Sequence, residues 1–226
     1  MGQIREALEA ELLAEQEFVA AAHVAETAPK RWPAALLMFH VSMWRERLRD
    51  RLTDLRDGRD YPPPPEDPDT FNDAELANGI GTPLADAAAR SERLLREILA
   101  LHEALGERPF KWYRCETTTE AVLRASYLHP RIHMYEYALE NGEPERGIEL
   151  FERAAADMRQ VKAPKLILGA AIYNLAAARV AQDRKDDALT LLEEALGMRP
   201  DLKETAAEDP DLAPLREESG FQKLVS

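Results

Sequence analysis

Apolar residues recur at three- and four-residue spacing along most of the chain. Runs of alternating β-branched residues are absent, so the pattern predicts an all-α protein. Residues 3–26 carry Ile4, Leu8, Leu12, Phe18 and Ala22 as one stripe, with Pro29 as the stop. A second helix is expected over residues 33–57, opened by Pro33 and closed at Gly58; its first half is apolar and its second half charged. A third spans 83–105, with Leu84, Ala87, Ala88, Leu94, Leu95, Ile98, Leu101 and Leu105. A fourth covers 118–140 and stops at Asn141-Gly142. Further helices are expected at 145–158, 165–181 and 185–197, before the break at Arg199-Pro200-Asp201.

The second and third helices are separated by a run that cannot be helical. Five prolines fall between Pro62 and Pro68, and the connection continues to about Gly81, with at most a turn of helix at 72–77. A helix of 25 residues is about 37 Å long. A connection of more than 20 residues returns along that length at roughly 3.3 Å per residue. The third helix can therefore start at the same end as the second, as in four-helix bundles with one long crossover. The proline run Pro62–Pro65 also has the composition of a polyproline ligand, but a stiff crossover explains it with less. The domains expected are a bundle over residues 1–142 and a helical tail over 143–226. In the tail, the spacing of Leu175, Ala176, Ala188, Leu192, Ala195 and Pro200 resembles a tetratricopeptide repeat, and Gly147, Phe151 and Ala154 resemble half of an earlier one. Two such units are too few to stand alone, so the tail is expected to dock on the bundle.

The 226 residues carry a net charge of −13, and residues 61–80 and 201–226 together supply −9 of it. No basic stripe is left for phosphates, which argues against nucleic acid and against anionic membranes. The first 18 residues are charged throughout, so neither a signal peptide nor a membrane-spanning helix is expected there. Cys115 is the single cysteine, which excludes an internal disulfide and fits a reducing, cytoplasmic setting. It precedes the fourth helix and reads as a buried or idle thiol more readily than as a nucleophile.

The candidate chemistry lies in histidines. His129 and His133 are four residues apart, on one face of a helix if the helix is continuous. His40 sits in the apolar half of the second helix. Three converging imidazoles would hold a divalent metal and leave open positions on it, the arrangement of catalytic rather than structural sites. Zinc is the default, with nickel, iron and manganese compatible with the same ligands. Each histidine also has an ordinary reading as a core residue or a chance helical pair. His23 and His102 read as surface or boundary residues. Trp44 shares a face with His40 and is a candidate pocket wall. Ser126 and Glu136 share the face of His129 and His133, and Glu136 is a candidate partner for an imidazole, a candidate general base, or a plain solvated or ion-paired acid. Arg131 points away from both histidines. Pro130, between the two, removes a backbone donor and crowds the carbonyl of Ser126; either the helix kinks there or a new one begins and the pair is lost.

The run from Trp32-Pro33 through His40 to Trp44 resembles the second helix of DinB/YfiT-like proteins, in which a histidine is followed four residues later by an aromatic residue. His129 and His133 match the histidine pair of that family's fourth helix, and Asp69-Thr70-Phe71-Asn72 resembles the crossover of its mycothiol-linked members. The resemblance covers residues 1–142 and implies a four-helix bundle with a three-histidine divalent metal. It implies a low-molecular-weight thiol as cofactor or small-molecule substrate, with S-transfer, isomerisation or hydrolysis as the reaction, and a homodimer as the assembly. The alternative is a non-enzymatic helical scaffold whose tetratricopeptide-like tail binds a peptide or protein partner.

Overall fold

The helices begin and end where chain chemistry allows. The structure is a computed structural model that describes residues 2–25, 32–64 and 67–226. It divides into two compact units, Met1–Gly147 and Ile148–Ser226. In the first, α1 is Gly2–Ala25, α2 is Ala34–Arg56, α3 is Pro68–Leu76 and α4 is Leu84–Leu105. The expected stop of α1 at Pro29 lies outside the described residues. α2 and α4 are each preceded by a proline in extended conformation, Pro33 and Pro83, whose carbonyls accept the first helical bonds. Gly58 and Gly106 follow their ends at φ +68° and +65°, a left-handed conformation that glycine adopts without steric cost.

The crossover is more ordered than its prolines suggest. α3 begins at Pro68, four residues earlier than the turn expected at 72–77, because proline is well tolerated in a first turn. A 3₁₀ turn, Ala77–Gly79, follows. Gly79 is required there: a Cβ would lie 2.4 Å from a ring carbon of Phe39. After α4 the chain makes an antiparallel hairpin absent from the sequence reading, β1 (Pro109–Trp112) against β2 (Cys115–Thr117), with Trp112 opposite Cys115. Tyr113 in its turn has φ +52°. α5 (Thr118–Leu123) is capped by the Thr117 hydroxyl, which accepts from the Glu120 N–H at 3.2 Å. One π-helical turn, Arg124–Leu128, joins it to α6 (His129–Glu140). Apart from the hairpin, the regular structure is helical throughout the described residues.

α2 lies along α4, α1 packs on α4 and on the π turn, and α6 packs on α2. Leu37, Val41, Leu48 and Leu52 from α2 are buried with Leu94, Leu95 and Ile98 from α4. This core also contains charges. Arg45 donates to the carboxylate of Glu15 at 2.9 Å and to the hydroxyl of Ser91 at 2.7 Å. Arg131 donates to Glu11 at 2.6 Å and stacks on Tyr127, 4.1 Å from the ring centre. All four charged side chains are at most 4% exposed. Burial pushes the Glu11 carboxyl upward while the Arg131 guanidinium pulls it back.

His102 is buried in α4, not a surface or boundary residue as its sequence context suggested, because its neighbours Leu101 and Leu105 place that face in the core. Its Nε2 lies 3.1 Å from the Thr119 hydroxyl, which in turn donates to Glu107 at 3.2 Å. Burial holds this imidazole below the ordinary histidine value.

The second unit contains most of α7 (Pro144–Gln160), then α8 (Lys165–Ala181), α9 (Lys185–Met198), α10 (Lys203–Glu208) and α11 (Ser219–Val225). α8 and α9 pack on each other. Gly169 lets the end of α9 approach α8: a Cβ there would meet Arg199 Cγ at 2.6 Å. The Tyr173 hydroxyl donates to Asp209 at 2.7 Å, tying α8 to the segment after α10. Among the described residues no helix is long and apolar enough to cross a membrane.

Two expectations follow. Arg131→Met strands a buried carboxylate and should cost about 3–5 kcal/mol, whereas adding Glu11→Leu should recover most of the loss, read from urea midpoints of the four variants. Unfolded His102 takes up a proton near pH 6.5 that the folded ring resists, so its contribution is present above that pH and is lost as pH falls. The urea midpoint should therefore drop between pH 7.5 and 5.5 by less in His102→Asn than in the parent.

Candidate metal centre

Three imidazoles meet between α2 and α6. The Nε2 of His129 lies 3.1 Å from the Nε2 of His40 and 3.0 Å from the Nε2 of His133. The three ligand atoms fall within 4.8 Å of one another. An ion roughly 2.0–2.1 Å from each nitrogen would see neighbouring ligands about 95° apart at the two measured separations. Three such ligands would leave further positions on a divalent ion open.

The donor set fits a cation better than it fits itself. The Nδ1 of His133 lies 3.1 Å from the Glu136 carboxylate and donates to it, which in the neutral ring leaves the Nε2 lone pair to ligate. With all three rings neutral, one proton on the His129 Nε2 cannot serve both neighbours, so one of the two contacts is left without a good hydrogen bond. A metal ion bound by the three nitrogens would relieve this contact. Burial and the neighbouring His133 and His40 rings hold His129 well below the ordinary histidine value, which keeps it neutral and able to ligate. Glu136 is thus placed on the outer nitrogen of a candidate ligand, which fixes its tautomer and orientation.

Pro130 does not separate the pair. The π turn ends with the His129 N–H donating to the Arg124 carbonyl, five residues back, and α6 continues through Pro130. The Ser126 carbonyl, four residues before Pro130, would ordinarily accept the N–H that proline lacks. It accepts instead from Arg45 Nη2 at 2.8 Å. The fresh start that would lose the pair does not occur, since the two Nε2 atoms lie 3.0 Å apart. A side chain from α2 supplies the missing donor, and His129 and His133 stay one turn apart on one face. Arg131 points to Glu11 in the core, away from the centre. The Ser126 hydroxyl is buried and makes no hydrogen bond within the described residues.

Aromatic rings enclose the histidines. Trp32 lies 4.8 Å from His40 and 5.3 Å from His133, centre to centre. Trp44 lies 6.4 Å from both His40 and His129 and donates its indole N–H to Asn72 at 2.9 Å. Phe71 packs on Trp44 at 5.1 Å, with the Arg47 guanidinium 3.3 Å above it. The crossover helix α3 is thereby fastened beside the site. A cavity of about 160 Å³ adjoins the histidines, lined in part by Trp44, Trp112, Tyr113, Arg124 and His129.

The sequence pattern named the three histidines, Trp44 and Glu136. It did not single out Arg45, Trp112, Tyr113 or Arg124. The signal for Trp112 and Tyr113 is the aromatic-rich stretch from Phe110 to Tyr113, which has strand propensity but is too short to stand out among long helices. Cys115 is buried at the start of β2, and the candidate ligand cluster does not include it. The side chain of His23 lies outside the described residues. No protein-family model matches the chain, nor does any curated protein or solved structure.

The Arg45 contact is testable by a double-mutant cycle. Arg45→Lys keeps a charge for Glu15 but cannot reach Glu15, Ser91 and Ser126 together, and should cost about 1–3 kcal/mol. Pro130→Ala restores a backbone donor near Ser126, so the same lysine substitution should cost about 1 kcal/mol less in that background, read by urea denaturation.

Proposed function

We propose that the protein is a metal-dependent enzyme of the DinB/YfiT type. Its core in this reading is a four-helix bundle made by α1, α2, α4 and the α5–α6 segment, with the crossover carrying α3 between the second and third. The observation that carries the reading is the convergence of the Nε2 atoms of His40, His129 and His133, with Glu136 on the outer nitrogen of His133. Zinc is the first choice of ion, followed by nickel, iron and manganese.

A divalent ion in this site lowers the pKa of a bound thiol or water and so supplies a nucleophile near neutral pH. The residues of the chain do the rest. The three imidazoles would hold the ion. Glu136 keeps the His133 ring in the ligating tautomer. Trp44 and Trp112 give the adjoining cavity apolar walls, which limit access of water to the reacting groups. The reactions proposed, in order, are transfer of a low-molecular-weight thiol, isomerisation of a thiol adduct, and hydrolysis of a small molecule. A cytoplasmic location suits thiol chemistry in a chain with one cysteine. We read α8 and α9 as a tetratricopeptide-like unit; burial of Ala176, Ala188, Leu192 and Ala195 supports that reading.

Metal content tests the proposal. The untagged chain, purified without chelators, should hold about one divalent ion per chain by elemental mass spectrometry. His129→Ala and His133→Ala should hold none, and Glu136→Gln should bind about 10–100-fold more weakly. A parent chain that stays metal-free after dialysis against zinc, nickel or manganese would sink the enzyme reading.

A further inference from the structure

The cavity beside the histidines carries a chemical signature of its own. The chain has 42 acidic residues against 29 Lys and Arg, and most of its arginines sit in ion pairs. Arg124 does not. It lies half-buried on the π turn and lines the cavity. Among the described residues no carboxylate is within ion-pair distance of it, and its guanidinium lies 5.9 Å from the centre of the Tyr113 ring. A partly desolvated guanidinium facing a cavity is a ready site for an anion.

Tyr113 supplies a second unsatisfied group. Its hydroxyl is buried and has no hydrogen-bond partner among the described residues. The residue occupies the left-handed region at φ +52°, which a bulky side chain rarely adopts. The two-residue turn between Trp112 and Cys115 imposes this conformation and so fixes the direction in which the ring leaves the hairpin. The hairpin turn thereby brings an aromatic ring and a phenol to the same cavity as Arg124.

The remaining walls are apolar. Trp44 and Trp112 face the space with Ala125, and His129 joins it to the metal centre. Its volume of about 160 Å³ is that of a small ring: cavities of roughly 150 Å³ accept benzene. Apolar walls around one planar, five-donor cation suit a carboxylate on a compact apolar body, which the guanidinium fork can grip with two bonds.

We propose that this cavity is the substrate subsite of the centre and takes a compact apolar carboxylate, held by Arg124 and Tyr113 with its body between Trp44 and Trp112. The inference rests on the metal-enzyme reading for its catalytic meaning, but the subsite itself is made by the chain alone.

Benzoate and its neutral isostere benzamide are the probes, titrated calorimetrically into the full chain after its zinc content has been measured. Benzoate should bind at least about tenfold more tightly than benzamide. Arg124→Gln should abolish that preference by weakening benzoate about tenfold while leaving benzamide binding and zinc content unchanged. Arg124→Lys should retain part of the preference, and Tyr113→Phe should weaken benzoate by about threefold. Circular dichroism would confirm that each variant is folded. Because a carboxylate can also ligate zinc directly, the titration is repeated on His133→Ala. Retention there of an Arg124-dependent preference supports the subsite.

The two readings fail separately. A chain that binds no zinc yet prefers benzoate through Arg124 keeps the carboxylate subsite and loses the enzyme reading. A chain that holds one zinc but binds benzoate and benzamide alike, or binds benzoate equally well with Arg124→Gln, overturns the subsite. Absence of benzoate binding at millimolar concentration in the folded parent overturns it as well.

Discussion

One buried guanidinium organises the first unit. Arg45 leaves α2 and reaches three other segments: the Glu15 carboxylate on α1, the Ser91 hydroxyl on α4 and the Ser126 carbonyl on the π turn. Stranding such a group without partners would cost several kcal/mol, so the helices are held to the rotations that bring all three acceptors within reach. His40 lies little more than one turn before Arg45 on α2, and fixing the rotation of α2 fixes the direction of its imidazole as well. The second buried pair, Arg131 with Glu11, holds the start of α6 against α1.

These two polar clusters are opposite in kind. In the charged one, guanidinium donors meet carboxylate, hydroxyl and carbonyl acceptors, the complementary arrangement that buried charges require. In the histidine cluster, two ring nitrogens crowd onto the single Nε2 of His129, which cannot make a good hydrogen bond to both. The first can stand as pure structure. The second has the donor set that a cation would complete. The π turn lies between them and serves both: it absorbs the proline that α6 carries and leaves a carbonyl for Arg45. Single π turns of this sort often accompany functional sites, because the added residue turns side chains that a regular helix would point elsewhere.

The crossover belongs to the site as much as to the connectivity. Phe71 and Asn72 on α3 grip Trp44, and Trp44 in turn faces the histidines and the cavity. The hairpin after α4 closes the cavity from another direction with Trp112 and Tyr113. Both elements are short and irregular beside the long helices. They carry the groups that would touch a substrate, whereas α2 and α6 carry the groups that would hold an ion. Loops and short turns mounted on a rigid helical frame are where recognition is usually placed.

Much of the helical frame was legible in the chain, since a 3.6-residue apolar period and proline or glycine at helix ends are local signals. The prolines before α2 and α4 and the glycines after α2, α4 and α6 mark those ends in the structure. The three histidines, Trp44 and Glu136 were legible for a related reason: spacing along one helix predicts which residues share a face. Other features depended on partners distant in sequence. Whether Pro130 would break the histidine pair was undecidable locally, because the donor that replaces its missing N–H comes from Arg45, 81 residues before Ser126. His102 became a core residue through packing. Arg124 is one charged residue among many in the chain, and what distinguishes it is the cavity it faces and the absence of a carboxylate beside it among the described residues. The sequence by itself determined the helices and the identity of the candidate ligands, because those follow from residue spacing along a single segment. Tertiary structure alone decided that the ligands converge, that the proline is tolerated and that a cavity with an unpaired cation lies next to them, because each requires groups from separate segments to meet in space.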